Sequence, residues 1–110
     1  MPARSLTPFQ TAILAAIRRI PKGKAASYGE VARAAGRPSA PRAVVAVLKK
    51  FGATLPWHRV VATGGRVALP GHAGMEQRFL LEQEGVTFQG RRVHPDHLYE
   101  YKAQRALTKW

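Results

Sequence analysis

Apolar residues recur at helical spacing near the start of the chain, where Phe9, Ile13, Ile17 and Ile20 share one face and Leu14 lies beside them. Thr7-Pro8-Phe9-Gln10 opens this run as a capping box with proline at the first helical position, and Pro21-Lys22-Gly23-Lys24 stops it. The pattern predicts an amphipathic scaffold helix. A second capping box, Ser27-Tyr28-Gly29-Glu30, predicts a short helix through Val31, Ala32 and Ala35 that Gly36 closes. After the Arg37-Pro38 turn, Ser39 is expected to cap a third helix. Ala40 and Pro41 then fall in its first turn, and Val44, Val45 and Leu48 are its apolar positions. Two short helices joined by a glycine-containing turn form a helix-turn-helix, in which the second helix enters a nucleic-acid groove.

Beyond Gly52 the period changes. Leu55 to Val61, Gly64-Gly65 and Val67 to Leu69 read as a loop, a turn and short extended pieces. Met75 to Glu84 predicts a fourth helix carrying Phe79, Leu80 and Leu81, stopped by Gly85. Val86-Thr87-Phe88, Gln89-Gly90 and Arg91-Arg92-Val93 predict a small hairpin, and the segment from Pro95 through Leu98, Tyr99 and Tyr101 a last short helix. The expected fold is mainly α: one winged-helix-like domain over residues 1–110, with a helix-turn-helix and a short β wing.

Charge narrows the class of partner. Eighteen Lys and Arg against six acids give a net charge of +12. Residues 1–70 hold twelve of those cations and a single acid, Glu30, whereas residues 71–110 hold six cations and five acids. A basic body of this kind is the footprint of phosphate contacts and counterion release. No apolar run is long enough to span a bilayer, and no helix pairs a wholly apolar face with a wholly cationic one, so a membrane partner is not expected. The first residues, Met1-Pro2-Ala3-Arg4-Ser5, lack the apolar stretch of a signal peptide. A cytoplasmic protein, associated with the nucleoid when bound to DNA, is expected. With no dimerisation segment evident, so is a monomer. The chain has no cysteine, which excludes disulfides, zinc thiolates and any thiol nucleophile. His94-Pro95-Asp96-His97 lacks the spacing and further ligands of a metal site, and neither metal nor cofactor is expected.

Four blocks carry a resemblance. Ile20 to Ala32, Arg42-Ala43-Val44, Pro56-Trp57-His58-Arg59-Val60 and Leu81-Glu82-Gln83-Glu84-Gly85 resemble, in order and spacing, the DNA-binding domain of the O6-alkylguanine-DNA alkyltransferases. Together they cover roughly residues 8–90. In the repairing enzymes the third block has cysteine where this chain has Trp57. That cysteine accepts the alkyl group, and a His–Glu pair helps form its thiolate. Tryptophan within Pro-Trp-His-Arg is the mark of the alkyltransferase-like proteins, the non-catalytic relatives of those enzymes. His58 and Glu84 match the activating pair and are expected to persist as a remnant of it.

The resemblance implies the remaining roles. The chain would bind double-stranded DNA containing O6-alkylguanine and flip the lesion out of the stack. Tyr28 would press on the adjoining phosphate and drive rotation, and Arg42 would fill the vacated space. Ser39, Ala40, Ala43, Lys49 and Lys50 belong to the DNA-binding helix, with the small residues suiting a minor groove. Trp57, Pro56, Val60 and Tyr28 would form the lesion pocket. Nucleotide excision repair proteins would be the downstream partners. Taken alone, Tyr28 reads equally as a packing residue and Arg42 more commonly as a solvated phosphate contact, whereas a core-aromatic reading of Trp57 fits its Pro-His-Arg setting less well. Departures from the family lie between Lys49 and Thr54, where no hinge asparagine occurs, at Val45 in place of glycine, and in Leu69-Pro70-Gly71-His72-Ala73. Two other readings stay open. One is a winged-helix regulator that reads base sequence. The other is a residual enzyme that transfers or hydrolyses the alkyl group, with His58 and Glu84 as base and orienter.

Overall fold

The computed structural model describes residues 6–101. Helix α1 (Pro8–Arg18) begins with the expected reciprocal cap: the Thr7 hydroxyl accepts from Gln10 N–H, and the Gln10 side chain accepts from Thr7 N–H, both at 3.0 Å. Its buried residues are Ile13, Leu14, Ala16 and Ile17. Phe9, expected on the same face, is only partly buried and lies beneath the Arg37 guanidinium, 4.7 Å from its ring centre.

A two-residue strand, β1 (Ala26–Ser27), leads directly into α2 (Tyr28–Ala34). The second capping box is half formed. Ser27 Oγ accepts from Glu30 N–H, but the Glu30 carboxylate turns outward to Arg33 at 2.7 Å instead of reaching back. Gly36 takes φ +103°, the left-handed position expected after this helix. Helix α3 (Pro41–Phe51) starts later than expected. Ser39 is an exposed turn residue, and Ala40 occupies the cap position without a side-chain hydrogen bond. The cause is Pro41, whose ring disfavours helical geometry in the residue before it, so the helix can begin only at the proline. The buried positions of α3 are Val44 and Val47, and Val45 stays at the margin.

These three helices close around a core of Ile13, Ile17, Ile20, Val31, Ala32, Val44, Val47, Leu55 and Val60. Each isoleucine, leucine or valine among them contributes on the order of 1.5–3 kcal/mol when fully buried. A second, smaller cluster contains Ala25, Val61, Leu81, Val86 and Val93. The parallel pairing of β1 with β2 (Val60–Val61) joins the two, since adjacent residues of β2 face opposite clusters.

Helix α4 (Gly71–Gln83) is longer than predicted by four residues at its start. Its buried positions are Gly74, Gln77 and Leu81, while Met75 and Phe79 are exposed, so its inward face carries little apolar signal. Strands β3 (Phe88–Gln89) and β4 (Arg92–Val93) pair antiparallel in the expected wing, with Gly90 at φ +64° in the turn. The expected last helix is a single 3₁₀ turn, Pro95–His97. Beyond it the chain runs extended: Tyr99 N–H donates to Ala25 C=O, and the buried Tyr101 hydroxyl donates to Ala16 C=O at 2.9 Å. Residues 102–110 lie outside the described residues. The architecture is mainly helical and winged-helix-like, with a helix-turn-helix and a β wing.

Candidate nucleic-acid interface

The helix-turn-helix presents its polar groups at helix ends. Tyr28 is the first residue of α2 and packs partly against the main core. Burial raises the pKa of its phenol, so the hydroxyl stays protonated and able to donate at neutral pH. Arg42 is the second residue of α3 and is exposed. The first turn of α3 has no acid, and its amides receive no side-chain cap. A cation beside the positive end of a helix dipole gains nothing internally, whereas an external anion meets both the exposed guanidinium and the positive end of the dipole. Lys49 and Lys50 lie exposed in the last turn, where cations are favoured. Ala40 and Ala43 are partly buried, and they keep the start of α3 free of bulk.

Trp57 stands on a single 3₁₀ turn, Trp57–Arg59, between Pro56 and β2. Its amide donates to Leu55 C=O at 2.7 Å, and its half-buried indole meets the His58 ring edge-on at 6.2 Å between centres. Pro56 beside it is also half-buried. Val60, expected to line the same pocket, is 1% exposed and belongs to the main core. It can support the Trp57 segment from behind but cannot touch a ligand, because strand alternation turns it inward.

His58, Arg59 and Glu84 do come together. Glu84 follows the last turn of α4, and its Oε2 accepts from His58 Nε2 at 2.9 Å and from Arg59 Nη2 at 2.8 Å. Its Oε1 accepts from Arg59 Nε at 3.0 Å and from the Gly23 amide at 3.2 Å. Arg59 Nη1 donates to Ile20 C=O, so one guanidinium ties α4 to the end of the first helical segment. Burial by itself would raise the Glu84 pKa. The hydrogen bonds from Arg59, His58 and Gly23 outweigh it and bring the value from 4.5 to about 2. The carboxylate is therefore ionised and can only accept, which places the shared proton on His58 Nε2.

Two further anchors of this segment carry no sequence signal of chemistry. Gln77, 2% exposed, donates from Nε2 to both His58 C=O at 3.1 Å and Val60 C=O at 2.8 Å. Gly23 supplies the third donor to Glu84 from the stop segment of α1. A glutamine in phase with Leu81 on an inward face was the available clue to the first; nothing marked the second. In the His94–His97 stretch, His94 Nδ1 accepts from the nearby Asp96 N–H and His97 Nδ1 lies 3.2 Å from the distant Gly23 C=O, so both rings are engaged with backbone groups. Chemically, the Trp57 segment offers an aromatic wall held by a fully engaged ion pair. Its indole lacks the acidic, strongly nucleophilic atom that a thiol provides.

Comparison with known proteins places this geometry. The profile of the 6-O-methylguanine DNA methyltransferase DNA binding domain matches residues 8–86. The DNA base-flipping protein of Escherichia coli K12 is 46% identical over 76 residues, covering 67% of this chain and 59% of that protein. The chain thus spans less than two thirds of that relative's length. Alkyltransferase-like protein 1 of Schizosaccharomyces pombe is 35% identical over 106 residues, 93% of this chain and 94% of that one. The crystal structure of S. pombe Atl1 with damaged DNA containing O6-carboxymethylguanine superposes with a TM-score of 0.70 at 29% identity, covering 87% of this chain and 98% of that chain. Mycobacterium tuberculosis OGT in complex with DNA gives a TM-score of 0.59 at 34% identity, over 73% of this chain and 51% of that one.

Proposed function

The chain belongs to the family of the 6-O-methylguanine DNA methyltransferase DNA-binding domain, and from that membership we propose that it is a non-enzymatic sensor of O6-alkylguanine in duplex DNA. The observation that carries the reading is the joint occurrence of an assembled Glu84–His58–Arg59 network and a chain without cysteine. The network holds the segment in which the repairing relatives place their alkyl acceptor, and Trp57 cannot accept an alkyl group as a thiolate does. Recognition is kept while transfer is lost.

In this reading Tyr28 presses on the phosphate beside the lesion and Arg42 enters the duplex in place of the flipped base. Its planar cation stacks on neighbouring bases and bonds the orphaned partner base. Ala40 and Ala43 let the start of α3 lie close in a minor groove, and Ser39, Lys49 and Lys50 contact the backbone. Trp57 and Pro56 wall the pocket, where the indole gains dispersion contact with the base and its alkyl group. The protein acts as a monomer in the cytoplasm, and the occupied complex flags the site for nucleotide excision repair proteins.

The test is a binding titration of matched duplexes with and without O6-methylguanine, followed by recovery and analysis of the DNA. Selective binding with the methyl group still on guanine is the expected result. Loss of the methyl group would convert the reading to an enzyme, and affinity that tracks base sequence instead of the lesion would convert it to a regulator.

A further inference from the structure

A cleft of about 840 Å³ opens between residues 66–71, the first half of α4 and the β3–β4 hairpin, and no residue of the Trp57 turn lines it. Arg66, Arg78, Arg91 and Arg92 all line it, and no carboxylate does. Arg78 is committed to the fold: Nε pairs with Glu82 at 3.1 Å, Nη1 donates to Gly90 C=O, and the guanidinium covers the Phe88 ring at 4.3 Å. The other three are exposed. Arg66 and Arg92 face each other across an antiparallel bridge, and Arg91 C=O accepts from Val67 N–H, so backbone pairing sets the three side by side. Arg92 makes one long contact, 3.3 Å to Gly64 C=O. Among the described residues the Arg66 and Arg91 guanidinium groups have neither a hydrogen bond nor an ion pair.

Gathering three cations around an opening without a counter-charge brings repulsion that folding does not repay internally. A guanidinium fork matches the paired oxygens of a phosphodiester. The cluster is also tied to the helix-turn-helix. Ser27 pairs with Val61, and Ala62 N–H donates to Arg66 C=O. Arg66 therefore starts about two strand spacings, roughly 10 Å, from the first residue of α2. At about 3.4 Å per nucleotide along one strand, that is a step of roughly three nucleotides.

We propose that this cleft is a second contact for the DNA phosphodiester backbone, in which Arg66, Arg91 and Arg92 hold the flanking duplex a few nucleotides from the base turned out beside Tyr28. It rests on the DNA-binding reading above and assigns a surface that the helix-turn-helix does not include. An acidic protein segment would offer similar oxygen pairs. The short path to Tyr28 favours nucleic acid.

The experiment compares the full chain with a triple alanine variant (R66A, R91A, R92A) and a triple lysine variant (R66K, R91K, R92K). Binding to a duplex with and without O6-methylguanine is titrated across a range of salt, and circular dichroism and melting confirm that each variant folds. Each lost phosphate contact lowers the slope of log K against log salt by ~0.9, so the alanine variant is expected to lose roughly 2 to 3 from the slope. The lysine variant keeps most of it, and the ratio of damaged to undamaged affinity is unchanged. A folded alanine variant with the wild-type slope overturns the proposal. That holds equally if the variant loses binding to a poly-glutamate peptide, which would assign the cleft to an acidic protein partner. A wild-type chain indifferent to the lesion would sink the sensor reading while leaving the slope comparison to decide the cleft.

Discussion

Replacing Glu84 with glutamine removes one charge and leaves the shape. The Glu84 side chain is 11% exposed and that of Arg59 18%, so solvent screening of their pairing is limited. Burial pushes the Glu84 pKa up, but the donors from Arg59, His58 and Gly23 bring it from 4.5 down to about 2. A depressed carboxylate pKa means that the folded state binds the proton more weakly than the unfolded chain. The stabilisation is therefore fully present above pH 4.5 and is lost as pH falls through about 2. At about 1.4 kcal/mol for each tenfold change in proton affinity, the network contributes on the order of 3 kcal/mol. That is a large share of the roughly 5–15 kcal/mol typical of a domain. Glu84→Gln should therefore lose about 3 kcal/mol at pH 7, with the Arg59 cation left half-buried and unpaired. With a urea dependence near ~1.5 kcal/mol per molar, the midpoint should fall by about 2 M. Urea titrations of both proteins from pH 7 to pH 2.5, followed by tryptophan fluorescence, measure the gap directly. Other carboxylates titrate in both proteins and cancel. The gap should narrow as pH drops from 4.5 toward 2. A glutamine variant with the wild-type midpoint at pH 7, or a gap that stays constant to pH 2.5, would refute this account of the network.

Other substitutions probe the surroundings. Gln77→Leu leaves the His58 and Val60 carbonyls without their buried donor; it should lower stability by about 2 kcal/mol in thermal unfolding and weaken DNA binding through the loosened Trp57 turn. In Gly74→Ala, the added methyl would collide with the Leu69 carbonyl. A loss on the order of 1–3 kcal/mol is expected, and an unchanged melting temperature would show that residues 66–71 yield freely. Arg42→Ala should reduce affinity for O6-methylguanine duplex by on the order of tenfold or more, about 1.4 kcal/mol. Its fold should be unaffected, since the side chain is exposed, and equal affinity of variant and wild type would remove Arg42 from the interface.

The first two helices were legible because each announces itself twice, by apolar positions and by a cap. The Thr7 box and the Gly36 stop are where local chemistry placed them. Ser39 misled because a good capping residue is outranked by a proline two positions on, which fixes where helical geometry can begin. Helix α4 was foreshortened because its inward face is Gly74, Gln77 and Leu81, so tertiary contacts, not amphipathicity, hold its first turns. The extended course of residues 98–101 depends on pairing with Ala25, some seventy residues earlier, which no local pattern reports. At the site, Trp57, His58 and Glu84 were found through motif spacing. Gly23 and Gln77 contribute a backbone amide and a polar group in an apolar phase, and a sequence alone does not distinguish such groups from a stop and an exposed position.

The anchoring of the Trp57 turn bears on how selectivity can be achieved. Glu84, Ile20 and Gln77 hold it from both ends of the chain, through bonds to His58 Nε2, to Arg59, and to the His58 and Val60 carbonyls. If the turn is the wall of the lesion pocket, as proposed, the entropy of ordering its backbone is lost during folding and not in the encounter with DNA. An acceptor that forms a covalent bond can tolerate brief, loose engagement, because one successful attack makes capture permanent. A reversible binder has no such ratchet. Its discrimination is limited to differences in lifetime on the duplex, and a wall rigid before contact lets every added contact with an adduct lengthen that lifetime.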